Sequence, residues 1–149
     1  MTRSIVPAIL YNVMRIALYF LNYWLPPLSC MGLIFFLSSL SNPPSPDIGL
    51  EGIDKFFHFI AYAGLSFWVI RAFLSINQKV SPYSPWAAAI LVVLLYAASD
   101  EWHQLYVKAR TPDVADWIAD SLGGTFGIFT MHMHHRFSRR FSINKSQYN

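Results

Sequence analysis

Four apolar tracts that are nearly free of charge, residues 24–40, 56–74, 83–99 and 117–133, leave this chain few ways to fold in water. A helix crossing a bilayer needs roughly 20 mostly apolar residues, and each tract approaches that length. The chain is 54% hydrophobic and 13% charged, whereas soluble domains are about a quarter charged. These observations predict an all-α protein, an integral membrane four-helix bundle. Residues 1–23 are apolar too, but Asn12 and Arg15 interrupt their middle. An arginine at the centre of a span costs about 2.5–3.5 kcal/mol. This segment is therefore expected as an N-terminal amphipathic helix lying at the interface. The four-helix domain then covers residues 24–135, and residues 136–149 form a basic tail. The single cysteine, Cys30, excludes an intramolecular disulfide.

The charges are sorted by side. In a four-span arrangement Arg3, Arg15, Arg71, Lys79, Arg136, Arg139, Arg140 and Lys145 share one face of the membrane. All 8 acidic residues fall on the other face, with Lys55, Lys108 and Arg110. The positive-inside rule makes the basic face cytoplasmic. Both termini are then expected inside, in a bacterial cytoplasmic membrane, and the acidic stretch between residues 99 and 120 outside. The formal net charge of +3 follows from this sorting, so membrane lipids are the expected contacts and no nucleic-acid partner is.

Length then sets depth. The third tract spans comfortably only if its helix continues through Asp100, Glu101 and Gln104, and the fourth only if it includes Trp117 and Asp120. Asp120 lies about one turn, or roughly 6 Å, deeper than Asp116. At about 100° per residue, Asp54, Lys55, His58 and Tyr62 share one sector of the second helix. Asp100, Glu101 and Gln104 share another on the third. Asp116, Asp120, Gly123 and Gly127 form a stripe on the fourth, and the GxxxG spacing lets a neighbouring helix approach that stripe. Ionisable groups at such depth face a bundle interior or a wet cavity.

Dipoles sort these groups further. Asp54 and Asp116 sit at helix N-termini, where negative charge is favoured, and Thr111-Pro112-Asp113 reads as a helix start. Asp100 and Glu101 sit near a C-terminus, where the dipole opposes them, so they call for a cation such as Lys55 or Arg110. The carboxylates still exceed these two cations. Protons, a substrate amine or a divalent cation held by Asp100, Glu101 and Asp116 would each balance the excess.

The two stretches "DKFFHFIAYAGL" and "SDEWHQLYVKARTPDVADWIADSLGGTFG" resemble the VanZ-like family of small membrane proteins. That family carries D-K-x-x-H-F-x-x-Y-x-x-L, then D-E-x-x-Q with a downstream arginine, then D-x-x-x-N-x-x-G. Asp54, Lys55, His58, Phe59, Tyr62 and Leu65 match the first element. Asp100, Glu101, Gln104 and Arg110 match the second, and Asp116 and Gly123 the third. Asp120 stands where the family more often has asparagine, which adds a negative charge. The family is named for a protein linked to teicoplanin resistance, so the resemblance implies an envelope role and possible contact with a glycopeptide antibiotic, and it assigns no reaction.

Three function classes fit. An enzyme acting on a lipid-linked or lipid-headgroup substrate would use His58 with Asp54 as a general base, Asp100 and Glu101 to hold a proton or metal, and Arg110 and Lys55 to bind phosphate. Asp116 completes the candidate catalytic set, with Lys55, Tyr62, Gln104 and Asp120 contacting substrate. A binding protein would hold a lipid-linked envelope precursor or a glycopeptide at the same place. A proton- or cation-coupled transporter is the third class, although nothing comparable lines the cytoplasmic half. The same residues also suit a structural network that fixes helix register. Two groups read as interfacial: His103 beside Trp102, and His132, His134 and His135 with the basic tail. Trp24, Trp86, Trp102 and Trp117 read as an aromatic belt.

Overall fold

The computed structural model describes residues 5–41, 52–76 and 83–147. Arg3, Asp47, Glu51, Lys79 and most of the proline-rich connector at 41–49 lie outside the described residues, as do the side chains of Arg139, Arg140 and Lys145. Five helices follow one another: α1 Ile5–Tyr23, α2 Leu25–Ser38, α3 Ile53–Ser75, α4 Ser84–Gln104 and α5 Val114–Gln147. The described residues contain no strand.

Proline chemistry separates α1 from α2. Pro26 and Pro27 lack the N–H groups that would bond the carbonyls four residues back, those of Asn22 and Tyr23. The two helices bend by 45° at this break. Arg71 of α3 takes up one freed carbonyl, donating from Nη1 to the Asn22 oxygen at 2.6 Å and from Nη2 to its side-chain oxygen at 3.0 Å. Its guanidinium also lies over the Tyr23 ring, 4.7 Å from the centroid. A residue expected only as part of a basic cytoplasmic loop thus fastens α1 to the bundle. Most of α1 is otherwise exposed and apolar, as at Leu10, Val13 and Ile16.

Helix lengths differ from the four-span expectation. α2 has 14 residues and so rises about 21 Å, short of the roughly 30 Å hydrocarbon layer. Among the described residues, α3 is long and apolar enough to cross a membrane by itself, and α1 with α2 would count as a second, bent span. The carboxylates near one end of α4 and α5 lower the mean hydropathy of both helices. These two do extend as the length argument required: α4 reaches Gln104 and α5 starts at Val114, before Trp117. The basic segment after residue 135 continues α5 without a break to Gln147.

α3 is the hub, in contact with each of the other four helices. Its residues Tyr62, Leu65, Val69 and Ile70 pack with Ala89, Val93 and Ala97 of α4 and with Ile128 of α5. The α3–α5 seam is the tightest. A Cβ on Gly123 would strike the Phe59 backbone, and one on Gly127 would strike the Ala63 carbonyl and the Ser66 hydroxyl. The glycine stripe expected to admit a neighbour therefore admits α3, and close backbone approach is what small residues provide between helices in lipid. Large apolar side chains remain exposed on all five helices, for example Leu18, Phe36, Phe56, Leu95 and Phe129. Unburied apolar surface spread around a bundle suits an acyl-chain environment.

Candidate functional site

Antiparallel packing brings the C-terminal ends of α2 and α4 together with the N-terminal ends of α3 and α5. The polar groups of the chain concentrate there, around Lys55. Gly52, at φ 78°, supplies the left-handed turn that opens α3, and Asp54 and Lys55 follow in its first turn. The Lys55 ammonium pairs with Asp54 at 2.6 Å, with Asp113 at 2.9 Å and with Asp116 at 2.9 Å. Asp113 caps α5, accepting the Ala115 N–H at 2.8 Å. Hydrogen bonding from Lys55, helped by that Ala115 N–H, holds the Asp113 carboxyl below its ordinary pKa. The sequence reading marked the helix start but did not place Asp113 in the site. Its place at the helix start was the available signal.

One turn further in, His58 Nδ1 and Asp120 Oδ1 are hydrogen-bonded at 2.9 Å. Asp120 is fully buried and Asp116 is 8% exposed. The glycine seam explains this meeting: Gly123 lies three residues beyond Asp120, and Phe59, which it touches, follows His58. Close approach of the two backbones brings the imidazole onto the carboxylate. His58 is expected to work with Asp54; in the structure Asp54 turns to Lys55, and Asp120 is the partner of His58.

Arg110 also differs from expectation. It was expected to neutralise Asp100 or Glu101, but its Nε donates to the Leu40 carbonyl at 3.1 Å and its Nη2 to the Leu37 carbonyl at 3.2 Å. The guanidinium thus caps the C-terminus of α2, whose last carbonyls have no partner within the helix and carry the negative dipole end. Ala109, at φ 63°, forms the left-handed bend preceding it. Glu101 receives the Asp113 backbone N–H on Oε2 at 2.9 Å. Gln104, fully buried, donates to Ser38 Oγ at 3.1 Å. His103, expected at the interface, stacks its ring on Phe35 at 4.4 Å, and its Nε2 meets Ser39 Oγ at 2.9 Å. At the other end of the bundle, His132 packs edge-on against Trp86 at 4.9 Å.

A cavity of about 350 Å³ opens between α2 and α3 beside these groups. Ile34, Leu37, Phe57 and Ile60 form an apolar wall. Ser38, Asp54, His58, Tyr62, Asp100 and Arg110 form its polar end. Half of the candidate residues thus line the cavity, while Lys55, Glu101, Gln104, Asp116 and Asp120 stand outside the lining. Ser38 was missed, although the serine pair that ends α2 in "FFLSSLS" was a visible clue. Two lining groups, the Tyr62 hydroxyl and Asp100 Oδ1, are buried with no hydrogen-bond partner among the described residues.

The expected metal ligands Asp100, Glu101 and Asp116 are not the ones the fold gathers. Asp116 faces Lys55, and the donor atoms that lie within 4.8 Å of one another belong to His58, Glu101 and Asp120.

The fold and site define a class: an all-helical protein among the described residues, with one or two segments apolar enough to cross a membrane and a polar recess at one end of its bundle. The sequence profile of the VanZ/LLP1 family matches residues 12–135, so the chain belongs to that family. No curated protein and no solved structure matches it.

Proposed function

We propose that the protein binds the polar head of an amphiphilic envelope component in the α2–α3 cavity, with the component's apolar part against Ile34, Leu37, Phe57 and Ile60. The observation that carries this is the pairing of an apolar wall with two buried, unpartnered polar atoms, Tyr62 Oη and Asp100 Oδ1. Leaving such groups unpaired costs about 1–3 kcal/mol each, so a ligand bearing hydroxyl or amine donors gains by meeting them. The volume is near the lower end of small-molecule sites. It suits one headgroup and is too small to enclose a whole glycopeptide, which favours a lipid-linked substrate. In this reading the polar end faces the exterior of a bacterial cytoplasmic membrane and the termini face the cytoplasm. The charge sorting supports that orientation, and phosphatase fusions at the α4–α5 turn and the C-terminus test it.

The binding test is photo-crosslinking of the full chain in native membranes with diazirine-bearing phospholipid and polyprenyl-phosphate probes. Label concentrates on residues 34–38 and 57–62, and Ile60→Trp, which fills the cleft, abolishes it. Label spread evenly over exposed α1, α4 and α5 positions, or unaffected by Ile60→Trp, overturns the reading.

One observation favours chemistry on the bound head over binding alone. His58 lines the cavity and is backed by buried Asp120, an arrangement in which a carboxylate orients an imidazole toward a reacting group. Comparison of envelope lipids and cell-wall precursors with and without the protein separates the two, since only catalysis creates or removes a chemical species. Transport has less support. Beyond the recess the described interior is filled by Leu65, Val69, Ile70 and Val93, with no polar path among the described residues.

A further inference from the structure

We propose that His58, Glu101 and Asp120 form a site for one divalent transition-metal ion, of the zinc, cobalt or manganese type. Asp100 is 4% exposed and Asp120 fully buried, and Glu101 is half-buried. None of the three makes an ion pair with lysine or arginine among the described residues. Lys55 is already shared by Asp54, Asp113 and Asp116, and Arg110 donates to the carbonyls of Leu37 and Leu40. A buried carboxylate without a counter-charge costs several kcal/mol. His58 makes the one direct bond of a basic side chain to this group among the described residues, at 2.9 Å to Asp120, while His103 and Arg110 act on Asp100 only through space.

The second observation is orientation. One oxygen of each carboxylate is held and the other is bare. Glu101 Oε2 accepts the Asp113 N–H at 2.9 Å, while its Oε1 is buried without a partner. Asp120 Oδ1 meets His58 at 2.9 Å, while its Oδ2 is likewise buried without a partner. The Asp113 N–H is an outer contact of the kind that orients a metal ligand, and the His58–Asp120 bond would be exchanged for bonds from both groups to the ion. The three donors, one each from α3, α4 and α5, lie within 4.8 Å of one another. Donors bound to one ion at about 2.0–2.2 Å stand roughly 3–3.5 Å apart, so small side-chain rotations close the site. One imidazole and two carboxylates suit zinc, cobalt or manganese better than magnesium, which prefers all-oxygen shells. Because His58 lines the cavity, the ion would stand at its polar wall, where a further ligand position could meet an anionic headgroup.

The site does not depend on the identity of the bound amphiphile. Its test uses the full chain in lipid nanodiscs, loaded with Zn(II) or Co(II), washed, and measured by elemental analysis and cobalt absorption. We expect one ion per chain, and at least about a tenfold weaker affinity in both Glu101→Gln and His58→Ala, since even outer-sphere losses weaken metal sites that much. A combined His132→Ala, His134→Ala and His135→Ala variant retains the ion. Thermal unfolding of the wild type shifts upward with the metal, and that of Glu101→Gln does not. Wild-type protein that binds no ion above background overturns the proposal, because the charge is then balanced by protons. Binding that is lost in the triple-histidine variant and kept in Glu101→Gln overturns it as well. Should metal bind as expected while lipid probes fail to label the cleft, only the amphiphile reading falls.

Discussion

The two flanks of α3 are built on opposite terms. Toward α5, glycines let backbones touch, and the polar groups pair across the seam: His58 with Asp120, Lys55 with Asp116. Toward α2, larger side chains keep the helices apart and leave a cavity of about 350 Å³ whose buried polar atoms lack partners. Within lipid the hydrophobic effect does little to hold helices together, so contact must come from close packing and polar bonds. The α5 flank has both. One side of the helix is closely packed and the other borders a cavity.

The sharpest way to break this contrast is to add one methyl group on the tight flank. Gly127→Ala forces a Cβ into the Ala63 carbonyl, and neither backbone can yield cheaply. We expect a loss of about 3 kcal/mol, read by denaturant titration in detergent micelles. Gly64→Ala, where a Cβ meets nothing within 4 Å, is expected to be neutral or to gain up to about 1 kcal/mol from helix propensity. Equal losses for both would dissolve the distinction between the flanks.

Next in size is the polar pair. Without added metal, His58→Ala removes the hydrogen-bond partner of a buried carboxylate and should cost about 2 kcal/mol. Ile60→Trp on the open flank changes stability by less than about 0.5 kcal/mol, as exposed substitutions usually do, while abolishing lipid labelling. A stability loss as large as that of Gly127→Ala would mean that the cleft is packed shut.

Two smaller effects concern the turn that closes the site. Ala109→Gly relieves a left-handed φ of 63° and should stabilise by about 0.5–1 kcal/mol, seen as a higher denaturation midpoint. For Asp113, Lys55 holds the folded-state pKa below the ordinary value. Its contribution is therefore present above the unfolded pKa and disappears as pH falls through the depressed one. The stability difference between wild type and Asp113→Asn should shrink to nothing in acid. A difference that persists there would show that the ionised carboxyl is not the source of the Asp113 contribution, since asparagine caps a helix as well as aspartate.

Much of this was legible in the residues. Helical periodicity placed His58, Tyr62, Asp116, Asp120, Gly123 and Gly127 on inward faces, and span length extended α4 to Gln104 and started α5 before Trp117. The partners were not legible. Arg110 lies close to carboxylates in sequence, yet it caps α2, because helix-end carbonyls some 70 residues away lie within its reach. Arg71 reads only as one charge of the basic face, but the prolines of α2 free a carbonyl that it takes. His103 fills an unspecified position of the D-E-x-x-Q element, and Phe35 of α2 gives it a place.

The sequence by itself determined the class, the helices and the end of the bundle where charge collects. Each of these follows from local composition and from the fixed geometry of an α-helix. Only tertiary structure decided which carboxylate meets which cation, and that donor atoms of His58, Glu101 and Asp120 lie within 4.8 Å of one another. Pairing depends on the rotation and spacing of helices about one another, and a one-dimensional pattern holds neither. Here both are set by the Gly123 and Gly127 contacts, which bring α5 onto α3 and leave α2 standing off.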